Sequence, residues 1–226
     1  MTTPRKNPRS AFNATMTRAL FQALDDTDFE HLEAIIEAGA DLEARNADGL
    51  TPLLVAAENR SDDAVAVLIK MGANINAAAT TSKMTALHYA AKNSDTDTLK
   101  TLLRAKPDIN SKDSKGQTPL HYAAIEADDD HVNMLVAAGA NVLAKDNMNR
   151  TAGKHAERKA QDDSHYLAER YRKIATTLLL KEIAAQKELD RTAAAEAERK
   201  TVQNELEQIN KNFDTKTFKL KPPPKK

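Results

Sequence analysis

The sequence predicts an all-α solenoid: stacked helix-turn-helix repeats joined by short β-turn fingers, then a long C-terminal helix and a disordered tail. Three observations predict it. Thr51, Thr85, Thr118 and Thr151 recur at intervals of 34, 33 and 33 residues, and a fixed period of this size marks a repeat architecture. Gly39, Gly72 and Gly139, each followed by Ala, keep the same register. From Ser164 to Asn210 there is neither Pro nor Gly, and Ala, Glu, Lys, Leu and Arg dominate, which are strong helix formers.

Each repeat can be built from its residues. Thr51 and Thr118 suit a helix N-cap, and Pro52 and Pro119 suit the first helical position, where a missing N–H costs nothing. Leu53, Leu87 and Leu120 are placed to face the core. The Ala pairs 56–57, 90–91 and 123–124 let neighbouring helices approach closely. A second helix follows in each repeat: Val65, Leu68 and Ile69; Leu99, Leu102 and Leu103; Val132, Leu135 and Val136. That spacing lines one helical face. Gly72 and Gly139 then end it in the left-handed conformation. The middle repeat departs twice. Its turn reads Ser82-Lys83 with one extra residue, and its second helix ends at Lys106-Pro107 in place of Gly-Ala.

The segments "DGLTPLLVAAENRSDDAVAVLIKMGANIN", "SKMTALHYAAKNSDTDTLKTLLRAKPDIN" and "GQTPLHYAAIEADDDHVNMLVAAGANV" follow a T-P-L-H-x-A pattern at a period near 33 residues, complete in the third, with Leu54 for His in the first and Ala86 for Pro in the second. The chain therefore resembles the ankyrin-repeat family over about residues 17–158. The expected organisation is a disordered basic arm at 1–12, then an array over 13–160. Its repeats are 13–46, 47–79, 80–112 and 113–145, with a degenerate one at 146–160. A helical cap and long charged helix would occupy 161–212, and a disordered basic Pro/Lys tail 213–226.

Composition narrows the function. Cys and Trp are absent, so there is no disulfide framework and no thiolate site, in keeping with a reducing, cytoplasmic setting. No apolar run approaches the roughly 20 residues of a membrane helix. The net charge of +0 hides an asymmetry. Residues 12–146 hold 21 acids and 12 bases, so −9, and the flanks hold the remaining 12 acids and 21 bases, so +9. An acidic middle argues against a nucleic-acid surface there.

Three clusters invite a chemical reading. His88 and His121 are one repeat apart, too far to share a metal, and read as hydrogen-bonding groups near the turn. His131 lies beside Asp128, Asp129 and Asp130, but the register puts these acids at a helix start, where they cap N–H groups and complement the helix dipole. The same slot is acidic at Asp62-Asp63 and at Asp95 with Asp97, with Asp28 and Glu30 before them and Asp162-Asp163 after. Such an edge reads either as capping and solubility or as a stripe attracting a partner with a basic surface. No HExxH, Cys-containing zinc motif or Gly-rich phosphate loop is present. The reading is of a chain with no catalytic residue, metal or cofactor.

The resemblance implies a binding face at the variable positions of the concave side. Carried over by register, these are Ala47, Asp48, Leu50, Glu58 and Asn59; Thr81, Ser82, Met84, Lys92 and Asn93; Ser114, Lys115, Gln117, Ile125 and Glu126; and Asn147, Met148, Arg150, Arg158 and Lys159. Leu50, Met84 and Ile125 stand out as apolar anchors, with Tyr89 and Tyr122 as packing residues. In the extension, Leu167, Tyr171, Ile174 and Leu178 form a stripe that would dock on the last repeat. Lys181 to Arg199 continue it as a polar seam too weak for a strong coiled coil, so a monomer or a weak dimer through this helix is expected. The expected function is a non-enzymatic adaptor for a protein partner. The alternative is a secreted effector acting in a host cytoplasm. Bacterial ankyrin effectors are similar in plan, and a Glu-rich C-terminal stretch (Glu196, Glu198, Glu205, Glu207) loosely resembles their secretion signals. An enzyme accessory with its activity in the extension is the remaining reading.

Overall fold

A computed structural model describes residues 8–26, 31–162 and 167–214, with side chains described from 13 to 207 within those ranges. It divides into two units, Met1–Glu182 and Ile183–Lys226. In the first, helices alternate between an inner and an outer layer. The inner helices are α1 (Pro8–Asp25), α3 (Pro52–Glu58), α5 (Ala86–Lys92), α7 (Pro119–Ile125) and α9 (Ala152–Asp162). The outer ones are α2 (Leu32–Glu37), α4 (Asp62–Lys70), α6 (Thr96–Arg104) and α8 (Asp129–Ala137). Consecutive inner helices pack on one another, as do consecutive outer helices. No strand is present among the described residues. The nearest thing is an isolated bridge from Ala78 to Thr85 in the third finger.

The core follows the sequence pattern. Leu53, Leu87 and Leu120 are buried, as are the three Ala pairs. Val65, Leu68, Leu99, Leu102, Val132 and Leu135 are buried between the layers. Each fully buried Leu contributes about 1.5–3 kcal/mol relative to exposure. No repeat could bury this surface alone, so the interfaces between repeats hold the array together.

Backbone geometry explains the turns. Between inner and outer helices, Arg60, Ser94 and Ala127 sit at φ 59°, 53° and 57°. The next N–H then reaches back into the preceding helix: Ser61 to Ala56 O at 3.0 Å, Asp95 to Ala90 O at 3.1 Å, and Asp128 to Ala123 O at 3.1 Å. This is the left-handed helix stop, here made without glycine. After the outer helices, Gly39, Gly72 and Gly139 take φ 104°, 94° and 98°, and Lys106 takes 56° in the third repeat. A non-Gly residue there costs on the order of 1 kcal/mol.

Some boundaries move. Helix α1 begins at Pro8, inside the stretch expected as a disordered arm. The C-terminal helix, α10 (Ala168–Asp214), extends into the expected tail, and residues 1–7 and 215–226 of the arm and tail lie outside the described residues. In the first unit, Tyr171, Ile174 and Leu178 of α10 are buried. The Tyr171 hydroxyl donates to Ile125 O at 2.8 Å, and Lys173 pairs with Asp129. Gly153 matters here: a Cβ on it would lie 3.3 Å from Leu178 Cβ and 2.7 Å from Glu182 Oε1. The start of α10 thus docks as the expected stripe requires.

The second unit is the remainder of α10. Leu189, Val202 and Leu206 are about half exposed, and its polar groups pair within the helix, as Arg191 does with Glu188 at 3.3 Å and Gln186 with Asp190 at 2.9 Å.

Candidate protein-binding face

The face begins with the fingers. Numbered after their repeats, the second to fifth close when the N–H of residue 46, 79, 113 or 146 donates to the carbonyl of residue 50, 84, 117 or 150, at 2.8–3.0 Å. Asn46, Asp113 and Asp146 then accept two further finger N–H groups each through their side chains. The third finger has Ala79 in that place. Ser82 Oγ accepts from Met84 N at 3.3 Å there, and the extra residue widens the loop. Neighbouring fingers join by backbone bonds: Thr80 N to Gly49 O at 3.1 Å, Ser114 N to Ser82 O at 2.8 Å, and Asn147 N to Lys115 O at 3.0 Å. The tips therefore form a row of fixed register beside the inner helices.

The histidines lock this row to the helices. Thr85 N donates to His88 Nδ1 at 3.1 Å, so that nitrogen is the acceptor. Nε2 then carries the proton and donates to Gln117 O, 3.1 Å away in the next finger. His121 repeats the arrangement with Thr118 N and Arg150 O, both at 3.1 Å. Where the second repeat has Leu54 in this slot, the buried Thr51 Oγ1 has no hydrogen-bond partner. Burial lowers the pKa of both His88 and His121, against the opposing pull of the Gln117 and Arg150 carbonyls. These rings are neutral joints, with both nitrogens engaged.

The two buried aspartates act in the same way. Asp113 accepts from the Tyr122 hydroxyl at 2.8 Å. Asp146 accepts from His155 Nε2 at 2.8 Å and from Arg150 through Nε at 3.1 Å and Nη2 at 2.9 Å. Burial pushes the Asp146 carboxyl up, but the Arg150 and His155 donors and the Met148 N–H outweigh it and hold it far below the usual carboxylate range. Burial lowers the pKa of His155 despite the hydrogen bond to Asp146. These pairs were missed in the sequence. Their signal was available: 113 to 122 and 146 to 155 are both separations of nine at one register position.

The structure sorts the twenty face residues. Leu50, Met84 and Gln117 are buried and are corrected from contact residues to interior ones. Their carbonyls close the fingers, and the side chains of Met84 and Gln117 reach the next inner helix. Met84 Sδ lies 3.8 Å from the Tyr122 hydroxyl, and Gln117 Nε2 lies 3.5 Å from His155 Nε2, both 38 residues on. Arg150 is held by Asp146. Asn59 and Asn93 use their amides to tie inner helices together, on Leu24 O at 3.4 Å and Glu58 O at 3.0 Å. Asn147 Nδ2 ties its finger to Ser114 O at 3.1 Å. Ala47, Asp48, Glu58, Thr81, Lys92, Ser114, Lys115, Glu126, Arg158 and Lys159 are exposed, and Ser82 and Ile125 are half-buried. Met148 is 72 % exposed, so the apolar group presented at a finger tip is Met148 and not Leu50 or Met84. Tyr89 and Tyr122 are buried, as packing residues should be.

The acidic edge contains two helix caps and two ion pairs. Asp95 accepts from Thr98 N at 3.3 Å and Asp128 from His131 N at 3.0 Å. Asp97 pairs with Lys100 at 3.5 Å, and Asp129 with Lys173. Asp162 sits at the end of α9 and not at an outer-helix start, because α9 runs on through it. Asp28, Glu30 and Asp163 lie outside the described residues. His131 is fully buried, with Nε2 3.1 Å from Thr96 Oγ1. Among the described residues no group of three or more His, Asp or Glu is arranged to hold a metal, and no helix is long and apolar enough to cross a membrane.

Comparison with known proteins agrees with this architecture. A family model described as "Ankyrin repeats (3 copies)" matches residues 20–113 and 77–146, together more than half of the chain. Among curated proteins, the BRCA1-associated RING domain protein 1 of Caenorhabditis elegans is 31% identical over 118 residues, 52% of this chain and 17% of that protein. The mitochondrial disaggregase of Bos taurus is 31% identical over 94 residues, 42% of this chain and 13% of that protein. The chain thus spans less than a fifth of either relative. With the 33-residue period, the paired helix layers and the locked fingers, the family match shows that this chain belongs to the ankyrin-repeat family.

Proposed function

We propose that the chain is a non-enzymatic binding scaffold that grips a protein partner across the concave face made by the fingers and inner helices. One contrast carries the reading. His88 and His121 are engaged in hydrogen bonds that hold neighbouring repeats together, and Asp113, Asp146 and His155 in ones that hold a finger to its own inner helix. The exposed side chains on the same face, such as Lys92, Lys115 and Met148, have no such duty and stand on a fixed backbone row. Groups with chemical potential are structural, and groups with access are contact residues. Ankyrin repeats generally mediate protein–protein interaction, which supports the same reading. A fold alone names no partner.

The cytoplasmic setting rests on the absence of Cys. The effector alternative rests on Glu196, Glu198, Glu205 and Glu207, which lie on the solvated part of α10 and serve solubility equally well. A photo-crosslinking residue placed at Lys115 should give discrete protein adducts in cells, and one at Lys100 on the outer layer should not. Equal labelling from both positions would remove the concave face from this account.

A further inference from the structure

We propose that repeats 3 to 5 of this face bind an extended protein segment carrying several carboxylates and at least one apolar side chain. The proposal rests on the concave-face reading above and names the chemistry of the partner.

Charge is divided along the face. The second repeat presents Asp48 and Glu58, both exposed. The later repeats present Lys83, Lys92, Lys115 and Lys159, all exposed and none in an ion pair among the described residues. The sign changes within single slots. The position held by Glu58 in the second repeat is Lys92 in the third, and the position held by Asp48 in the second repeat is Lys115 in the fourth. Lys83, Lys92 and Lys115 stand out against a net charge of −9 over residues 12–146, from 21 acids and 12 bases, so this part of the run is not a property of the average surface.

The acids that could neutralise the run are mostly occupied. Asp113 and Asp146 are buried in the finger joints. Glu157 is paired with Lys154 at 2.6 Å and Asp162 with Arg158 at 3.8 Å. Among the described residues, Glu126 is an exposed acid in this part of the face that is in no ion pair. Met148 stands one finger from Lys115, because the N–H of its neighbour Asn147 binds Lys115 O. A segment whose carboxylates meet the lysines would bring an adjacent apolar side chain onto Met148, a flexible and polarisable surface suited to varied partners. Nucleic acid fits less well. Tyr89 and Tyr122 are buried and offer no stacking platform, and Asp48 and Glu58 would repel a phosphate backbone running further along the face.

Selection of displayed random 12-residue peptides against the full chain tests this. Enriched peptides should be net negative and carry Leu, Ile, Phe or Met. Their affinity, measured by fluorescence polarisation on synthetic copies, should fall at least tenfold in a variant carrying Lys92→Glu, Lys115→Glu and Lys159→Glu. It should also fall clearly when the same three lysines become Gln, which guards against misfolding by reversed charge. Met148→Ala should weaken binding several-fold. Enrichment of neutral or basic peptides, no enrichment, or unchanged affinity in both lysine variants would overturn the proposal. So would displacement by a 12-nucleotide single strand at a lower concentration than the peptide itself. Neutral or basic peptides that are still lost on substitution of this face would remove only the acidic partner. Peptides indifferent to every substitution there would remove the concave-face reading as well.

Discussion

The third and fourth fingers close the same loop by different means. In the fourth, Asp113 takes two finger N–H groups and the Tyr122 hydroxyl, and Gly116 takes the left-handed turn at φ 73°. In the third, Ala79 offers no side-chain acceptor, one residue is added, and Lys83 takes the turn at φ 58°. Yet both are held to their inner helix by a Thr–His pair and to the next finger by a backbone bond. The difference teaches that the joint between repeats is the conserved-by-geometry part within this chain, and that the loop above it tolerates more than one solution.

Acid should break both fingers at once, and most strongly. Burial lowers the pKa of His88, His121, His131 and His155. As pH falls through the unfolded value of about 6.5, the unfolded chain takes up protons that the folded chain does not. Stability is therefore full above that pH and lost below it. The slope should reach about 1.4 kcal/mol per pH unit for each histidine that stays neutral. Urea unfolding from pH 7.5 to 5 measures it, and a flat profile would show that the rings are not held neutral.

Asp113→Ala should separate the two fingers. It leaves buried donors unmade, each worth about 1–3 kcal/mol, so a loss of about 3 kcal/mol is expected in chemical denaturation. Ala79→Asp should cost far less, since Ser82 already serves that loop. Gly116→Ala comes next. Its Cβ would lie 2.4 Å from Asn147 Oδ1 and 2.9 Å from Asn147 N, so the next finger must shift, in addition to a left-handed penalty of about 1–2 kcal/mol. The smallest effect runs the other way: Lys106→Gly should stabilise by about 1 kcal/mol, read as a rise in melting temperature.

The period, the helices, the Thr118 cap and the glycine stops were legible in the sequence because they depend on the local pattern of a repeat, whereas Thr51, with Leu54 three residues on, stands at the helix start without a side-chain cap bond. Much of what was not legible depends on contacts made in three dimensions, with the next repeat or between a finger and its helix. Met84 and Gln117 look like free variable positions until the inner helix 38 residues later covers them. Arg150 looks like a contact residue until Asp146 and His155 are seen to share one site. His131 and its three aspartates suggest chemistry by composition, and burial plus helix capping removes it. Met148 was legible as a face position but not as the exposed apolar one, since that follows from how the tips are ordered.

The most direct test pairs binding with stability in two variants. The face variant carries Lys92→Ala, Lys115→Ala, Met148→Ala and Lys159→Ala. The joint variant is Tyr122→Phe, which removes the buried hydroxyl that Asp113 accepts and leaves the finger bonds to Lys115 in place, assayed at a temperature where it remains folded. The account predicts that the first keeps the native melting temperature and loses affinity for an enriched peptide at least tenfold, while the second melts earlier and binds as the unaltered chain does. Binding retained in the face variant, or lost in the folded joint variant, would contradict the division of this molecule into structural joints and a contact face.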